Sequence, residues 1–342
     1  MDAAKLTKEA LVIDSHNDTI VAHIRGGRKS LLGDAAGTAP QEYSTIEMQR
    51  GPMWPGAYED GFQIDFCRMA DSGIDAAFYA IDVTLATGNR LTYAMDGLGC
   101  ILADIARSDV PVRIVRKAED IVAAKAHGEL AAVLAIEHAD CVERSLFVLN
   151  ALHALGVRSI GLTHNISSLA ADGCLEAREG VGLTRFGVAM VKEMNRLGMV
   201  VDLAHVSPGA FYHALEVSTA PVLFSHGNAR ALCDHPRNLT DEQLRQLGHQ
   251  GGVIGLSYVP MFVDEQEPTL ERLLDHVDHI AEVAGIETVG LGSDFDGGGT
   301  LLKDASETVR VTDGLLSRGY TEEDVRQVLG LNTLRILQAA IG

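Results

Sequence analysis

Cysteine is scarce in this 342-residue chain, and the five present (Cys67, Cys100, Cys141, Cys174, Cys233) are odd in number, widely spaced and never arranged as C-x-x-C. That spacing argues against a disulfide framework and a structural zinc knuckle, so the thiols are read as reduced packing residues. Basic residues are also few. The 28 Lys and Arg stand against 47 Asp and Glu, a net charge of −19 that repels a phosphate backbone, and nucleic acid is not an expected partner. No apolar run approaches the ~18 residues of a membrane span. The opening Met1-Asp2-Ala3-Ala4-Lys5 lacks the basic region, apolar stretch and cleavage site of a secretory leader. A membrane is therefore not an expected partner, and the expected location is the cytoplasm. Aromatics reach only 5%, yet hydrophobic residues at 46% and charged residues at 22% are ordinary globular values, which excludes wholesale disorder.

What the chain does have is alternation. Short apolar runs at Leu11–Asp14, Ala76–Ile81, Ala132–Ile136, Ser159–Leu162, Met199–Leu203, Val222–Phe224, Val253–Leu256 and Val289–Leu291 read as strands. Between them lie helical patterns over roughly Glu143–Leu155, Leu183–Leu197, Pro208–Val217, Asp241–Leu247 and Leu270–Val283. Gly156, Gly198 and Gly285 stand where helix C-caps are expected. Eight strands with helical crossovers predict an α/β fold, a (β/α)8 TIM barrel forming one domain over residues 1–342. A doubly wound sheet would carry a glycine-rich phosphate loop after its first strand, and Ser15-His16-Asn17-Asp18 stands there instead. The stretch around 25–65, with Gly, Pro, Ser and Trp54, reads as a loop excursion over the barrel mouth.

In a barrel, catalytic groups project from the C-terminal ends of the strands. Here those ends read His16-Asn17-Asp18, Glu137-His138, Thr163-His164-Asn165, His205, Ser225-His226 and Ser293-Asp294-Phe295-Asp296. His16 and Asp18, two residues apart in extended backbone, share one side and can reach one ion, although a lone H-x-D is equally a turn with Asp18 capping a helix. Glu137 ends the apolar Ala131–Ile136 run and needs a cation to offset its desolvation, supplied either by metal or by an arginine from another loop. His205 and His226 close successive strands within reach of one ion. Imidazole and carboxylate together suit zinc, with manganese, cobalt and iron as alternatives. Asp294 is placed to orient a water and take its proton, whereas Asp296, beside Gly297, suits an Asx-turn. His138 is expected on the opposite face.

These residues, in this order, resemble the membrane (renal) dipeptidase family of binuclear zinc peptidases, a branch of the amidohydrolase superfamily. The likeness is carried by Ile13–Asp18, Leu162–Asn165, Gly182–Gly187, Met194–Gly198, Val201–Ser207, Ala220–His226, Pro236-Arg237-Asn238 and Gly292–Gly297. It is close from about residue 130 onward and weak over about 25–110. The resemblance implies two zinc ions per chain, one held by His16 and Asp18 and one by His205 and His226, with Glu137 bridging them. It further implies Asp294 beside the reacting water, His164 near the scissile carbonyl, and Arg237 on substrate polar groups such as a terminal carboxylate.

The expected activity is hydrolysis of small dipeptides, including those with a D-residue at the C-terminal side. The alternatives are an amidohydrolase acting on N-acyl amino acids, a β-lactam or another small amide, and, from a different class, a noncatalytic metal-binding barrel. A homodimer is compatible with the sequence. The family's secreted members carry leaders, disulfides and a lipid-anchor signal, none of which this chain shows, so their location does not transfer.

Overall fold

The computed structural model describes residues 2–25, 31–32, 61–177 and 181–342. Most of the excursion expected around 25–65, Trp54 included, lies outside the described residues. Among those described, nine parallel strands form one sheet: β1 (Ile13–Asn17), β2 (Ala76–Tyr79), β3 (Val112–Ile114), β4 (Leu130–Ile136), β5 (Val157–Gly161), β6 (Val200–Asp202), β7 (Leu223–Gly227), β8 (Val253–Leu256) and β9 (Val289–Leu291). β1 pairs with both β2 and β9, and β2 pairs with β4, so eight strands close into the expected barrel.

The ninth strand, β3, was not expected. It pairs with Leu130–Ala132 at the start of β4, while β5 takes Leu134–Ile136 at its end. All three of its residues are half-buried, and Arg113 spends its side chain on a surface ion pair with Glu129 at 2.7 Å. The helices match the sequence reading with small shifts. Ser145 caps Leu146–Leu155, Thr184 caps Arg185–Leu197, and Thr240 with Gln243 forms a capping box at Asp241–His249. Gly156, Gly198 and Gly285 end helices with φ of 118°, 72° and 92°.

Strand parity sorts the core. Ala131, Val133 and Ala135 of β4 join Ile13, Phe78, Val200, Leu223 and Val253 in one apolar cluster, the barrel interior. Their neighbours Ala132, Leu134 and Ile136 join Leu149, Leu152 and Met190 of the surrounding helices. Continuing the inward parity past the apolar layer leads to Glu137 on β4 and, through Ala76, Phe78 and Ala80, to Asp82 beyond β2.

Besides a slip in the β4–β5 pairing between Leu134 and Ala135, two strands break this parity next to the site. The pairing register slips between Asp14 and Asn17 in β1 and between Phe224 and Gly227 in β7. Such irregularities re-aim side chains, and His16 and His226 sit within them. Room for the irregular β7 backbone comes from glycine: a Cβ on Gly292 would stand 1.9 Å from the Ser225 carbonyl oxygen, and one on Gly255 would stand 2.1 Å from it. Ser15 Oγ fills the remaining space, 2.6 Å from the Ser225 oxygen and 2.7 Å from that of Leu291.

Gly292→Ala is accordingly expected to cost on the order of 3 kcal/mol of stability, because the clash is with backbone that cannot rotate away. Gly99→Ala, within the helix Arg90–Arg107 and with open space around it, should instead gain roughly 0.5–1 kcal/mol. Denaturant midpoints of the two variants against wild type measure the contrast.

Candidate metal centre

The ends of β1 and β9 are stitched together before any functional side chain is placed. Asp14 accepts hydrogen bonds from Ser293 N and Ser293 Oγ, each at 2.8 Å. Asp294 N donates to the His16 carbonyl at 3.0 Å, and Asp18 N donates to the Phe295 carbonyl at 2.9 Å. His16, Asp18 and Asp294 are thereby held as neighbours although about 280 positions separate them in sequence. Asp294 and His205 have left-handed backbones, φ 60° and 66°. Such conformations are costly away from glycine and cluster at functional sites.

Seven of the eight expected residues converge. Ligand-type atoms of His16, Glu137 and His226 lie within 4.8 Å of one another, as do those of Glu137, His164 and His205, and those of His16, Asp18 and Asp294. Glu137 belongs to two of these trios. Its Oε1 is 2.8 Å from His205 Nε2 and 3.7 Å from His226 Nε2. His205 Nε2 and His226 Nε2 stand 2.9 Å apart, while the rings of His16 and His226 stack at 3.8 Å and those of His164 and His205 at 4.2 Å. The centre opens into a cavity of about 610 Å³, of a size suited to small molecules, lined by Asp18, Glu137, His164, His205, His226 and Asp294 among others.

Electrostatics show what this cluster needs. Burial pushes the Glu137 carboxyl well above its ordinary value, and Asp18, Asp82 and Asp294 push it further. Burial likewise raises Asp294 to about 6. The imidazoles move the other way: burial first, then the Arg237 charge and His164, lowers His16 to about 3, and burial holds His205 and His226 well below the usual histidine range. Neutral imidazoles and repelling carboxylates in one desolvated space form a donor set short of positive charge. His16 Nε2 is buried with no hydrogen-bond partner. Divalent cations fit these residues on both counts.

The eighth expected residue, Arg237, is near but does not line the cavity. It is only 2% exposed, with its guanidinium 5.7 Å and 5.4 Å from the Phe224 and Phe262 ring centres. Nη2 donates to the His226 carbonyl at 2.9 Å, whereas Nε and Nη1 are buried without partners. The solvated loop charge that Pro236-Arg237 suggests in isolation is thus not what the fold builds.

Several supporting residues escaped the sequence reading. Asn165 Oδ1 lies 2.8 Å from His205 Nδ1; as an acceptor it keeps that nitrogen protonated and leaves Nε2 a lone pair. Its only signal was adjacency to His164. His138, set aside as facing away, is fully buried; its Nδ1 accepts from His164 N at 2.9 Å and its Nε2 stands 3.2 Å from Asp140. It fixes the backbone that carries His164. Asp82, three residues beyond β2, lines the cavity and carries no local signal in the sequence. Asp296 is no local turn: it accepts from Gln63 N at 2.9 Å and Thr19 Oγ1 at 2.7 Å, latching the β9 loop to distant segments.

A model of the membrane dipeptidase family (peptidase family M19) matches residues 1–341. The chain belongs to that family. Among membrane dipeptidase relatives, dipeptidase verJ of Clonostachys rogersoniana is 39% identical over 216 residues, 62% of this chain and 56% of its own. Dipeptidase tcpJ of Claviceps purpurea is 39% identical over 233 residues, 66% and 55% of the two chains. An uncharacterized dipeptidase of Schizosaccharomyces pombe is 35% identical over 303 residues, 82% and 73%. The matches thus span little more than half the length of the first two relatives. The crystal structure of a dipeptidase AC has a TM-score of 0.80 at 24% identity, covering 97% of this chain and 99% of its own. A Rhodobacter sphaeroides metallo peptidase, liganded with a phosphinate mimic of the dipeptide L-Ala-D-Ala, gives 0.79 at 24% over the same shares. At that identity the structural likeness is one of fold. No helix among the described residues is long and apolar enough to cross a membrane.

Asn165→Ala should weaken metal retention by roughly 10- to 100-fold, the usual effect of removing a hydrogen bond that orients a ligating imidazole. Competition with a chromophoric chelator measures it, and unchanged retention would show that Asn165 does not set the His205 tautomer.

Proposed function

We propose that the chain is a metal-dependent dipeptidase whose centre takes two divalent ions, zinc by the chemistry of the donors. His16 and Asp18 hold one ion, His205 and His226 the other, and Glu137 bridges. The observation that carries this reading is the shared position of Glu137, which clusters at once with the imidazoles of His16, His205 and His226. Five ligand-type residues exceed what one tetrahedral ion with an open position uses. The family relatives are named dipeptidases, and the R. sphaeroides enzyme holds a dipeptide mimic in the same fold.

When bound, such ions polarise an amide carbonyl and acidify water. The chain's residues do the rest. Asp294, raised to about 6 and facing the cavity, takes the proton of the attacking water at a carboxylate oxygen and delivers it to the leaving amine. His164, whose pKa burial lowers, stays neutral near pH 7 and donates an N–H to the oxygen that gains charge as the carbonyl becomes tetrahedral. No serine or cysteine nucleophile is required. Arg237, with two unpartnered nitrogen atoms, supplies the positive charge that draws a free C-terminal carboxylate toward a protein of net charge −19.

Wild type and Asp294→Asn should both hold about two equivalents of metal per chain by elemental analysis, and the variant should lose on the order of 10²-fold or more in turnover. A fully active wild type with one equivalent would remove the bridging role of Glu137, and an active variant would remove that of Asp294.

Free dipeptides should be far better substrates than their C-terminal amides. Arg237→Ala should erase most of that preference, raising KM for the acid more than for the amide. The readout is kcat/KM for both substrates at fixed metal content; equal cleavage of acid and amide by wild type would favour a broader amidohydrolase.

A further inference from the structure

The cavity holds a carboxylate that the ligand set does not use. Asp82 follows β2 at the inward parity of Ala76, Phe78 and Ala80, and it pairs in parallel with Glu137: Glu137 N donates to the Ile81 carbonyl at 3.0 Å and Val83 N to the Glu137 carbonyl at 3.3 Å. Directly paired residues of parallel strands project to the same side, about 4.8 Å apart, so Asp82 stands one strand spacing from the bridging position. It is 5% exposed and lines the cavity. Thr84 anchors it, donating from N at 2.8 Å and from Oγ1 at 2.7 Å to Oδ1. Its Oδ2 lies 3.9 Å from His164 Nε2, too far for a hydrogen bond.

We propose that Asp82 receives the free α-ammonium group of the substrate's N-terminal residue and makes the enzyme select for an unblocked amine. This rests on the dipeptidase reading above and deepens it. Within one residue the α-nitrogen lies ~2.5 Å from the carbonyl carbon, as two bonds of ~1.5 Å at a tetrahedral angle require. A carbonyl oxygen beside His164 and an ammonium beside Asp82 are therefore the two ends of one short unit, matching the placement of those side chains on adjoining walls. The charge balance demands the same. An ammonium brought beside two divalent ions is repelled unless an anion not already shared with the metal faces it, and in the cavity wall Asp82 is such a carboxylate. An N-acyl substrate brings no cation to offset the Asp82 charge, leaving a buried carboxylate to be desolvated for nothing in return.

The test compares Ala-Ala with N-acetyl-Ala-Ala on the metal-loaded enzyme, in wild type and in Asp82→Asn, which retains the acceptor for Thr84. Calorimetric binding of a phosphinate Ala-Ala mimic, with and without an N-acetyl group, supplies a readout independent of turnover. Wild type should prefer the free amine. Asp82→Asn should lose about 10- to 100-fold in kcat/KM and in mimic affinity for the free amine only, the range of one charged hydrogen bond. The N-acetyl compounds should be unaffected or improved. If the variant loses activity equally on both substrates, or keeps the wild-type preference, the assignment of Asp82 is overturned while the dipeptidase reading stands. If wild type itself cleaves the N-acetyl compound as well as the free dipeptide, the dipeptidase reading fails as well.

Discussion

The structure turns on an electrostatic deficit at the mouth of the barrel. Glu137 is buried in the field of Asp18, Asp82 and Asp294, Asp294 is itself raised by burial, and three imidazoles beside them are held neutral by the same desolvation. Without cations there, Glu137 would hold its proton well above the usual carboxylate range. The core beneath is built to hold the deficit in place. Inward apolar residues stop one layer short of the rim, the registers of β1 and β7 slip at His16 and His226, and glycines at 255 and 292 leave room for the displaced backbone. Packing below and charge above are thus one design problem, solved by the same strand ends.

Within that frame the side chains divide by distance from the ions they would hold. Glu137 and the histidines face inward at ligand range. Asn165 and His138 act one bond further out, the first on an imidazole tautomer and the second on the backbone of His164. Asp14 and Ser293 act further still, fixing how the first and last strands meet. Removal of an outer residue therefore reaches the centre as a displacement, whereas removal of an inner one leaves a charge uncompensated.

Much of this was legible in the chain because apolar runs that end abruptly in histidine or carboxylate are rare, and each such ending here faces the cavity. β8 and β9 fell at the expected residues because both are short apolar runs bounded by glycine or polar residues. The features that escaped are those whose signal is not local. Val112–Ile114 is short, half-buried and carries an arginine, so nothing in its composition separates it from a loop. Asp82 resembles any acid before Val83-Thr84 until the parity of the strand behind it is known. The register slips at His16 and His226 have no residue signature, and without them simple alternation misjudges which way those rings point. The burial of Arg237 between two phenylalanines depends on Phe262, which arrives from another loop.

The seam between β1 and β9 also constrains how the chain reaches its working state. The three clusters of ligand-type atoms span residues 16 to 226, 137 to 205 and 16 to 294, and the trio containing Asp294 requires residues 16 and 294 to meet. That contact has one of the longest sequence separations in the molecule, and closing so long a loop is among the slower events of folding. Completion of the trio that contains Asp294 is therefore a late event, arriving when the barrel shuts rather than seeding it. A truncated or nascent chain lacking β9 would lack Asp294 and the Ser293 hydrogen bonds to Asp14. The complete centre, Asp294 included, doubles as a report that the ring is closed.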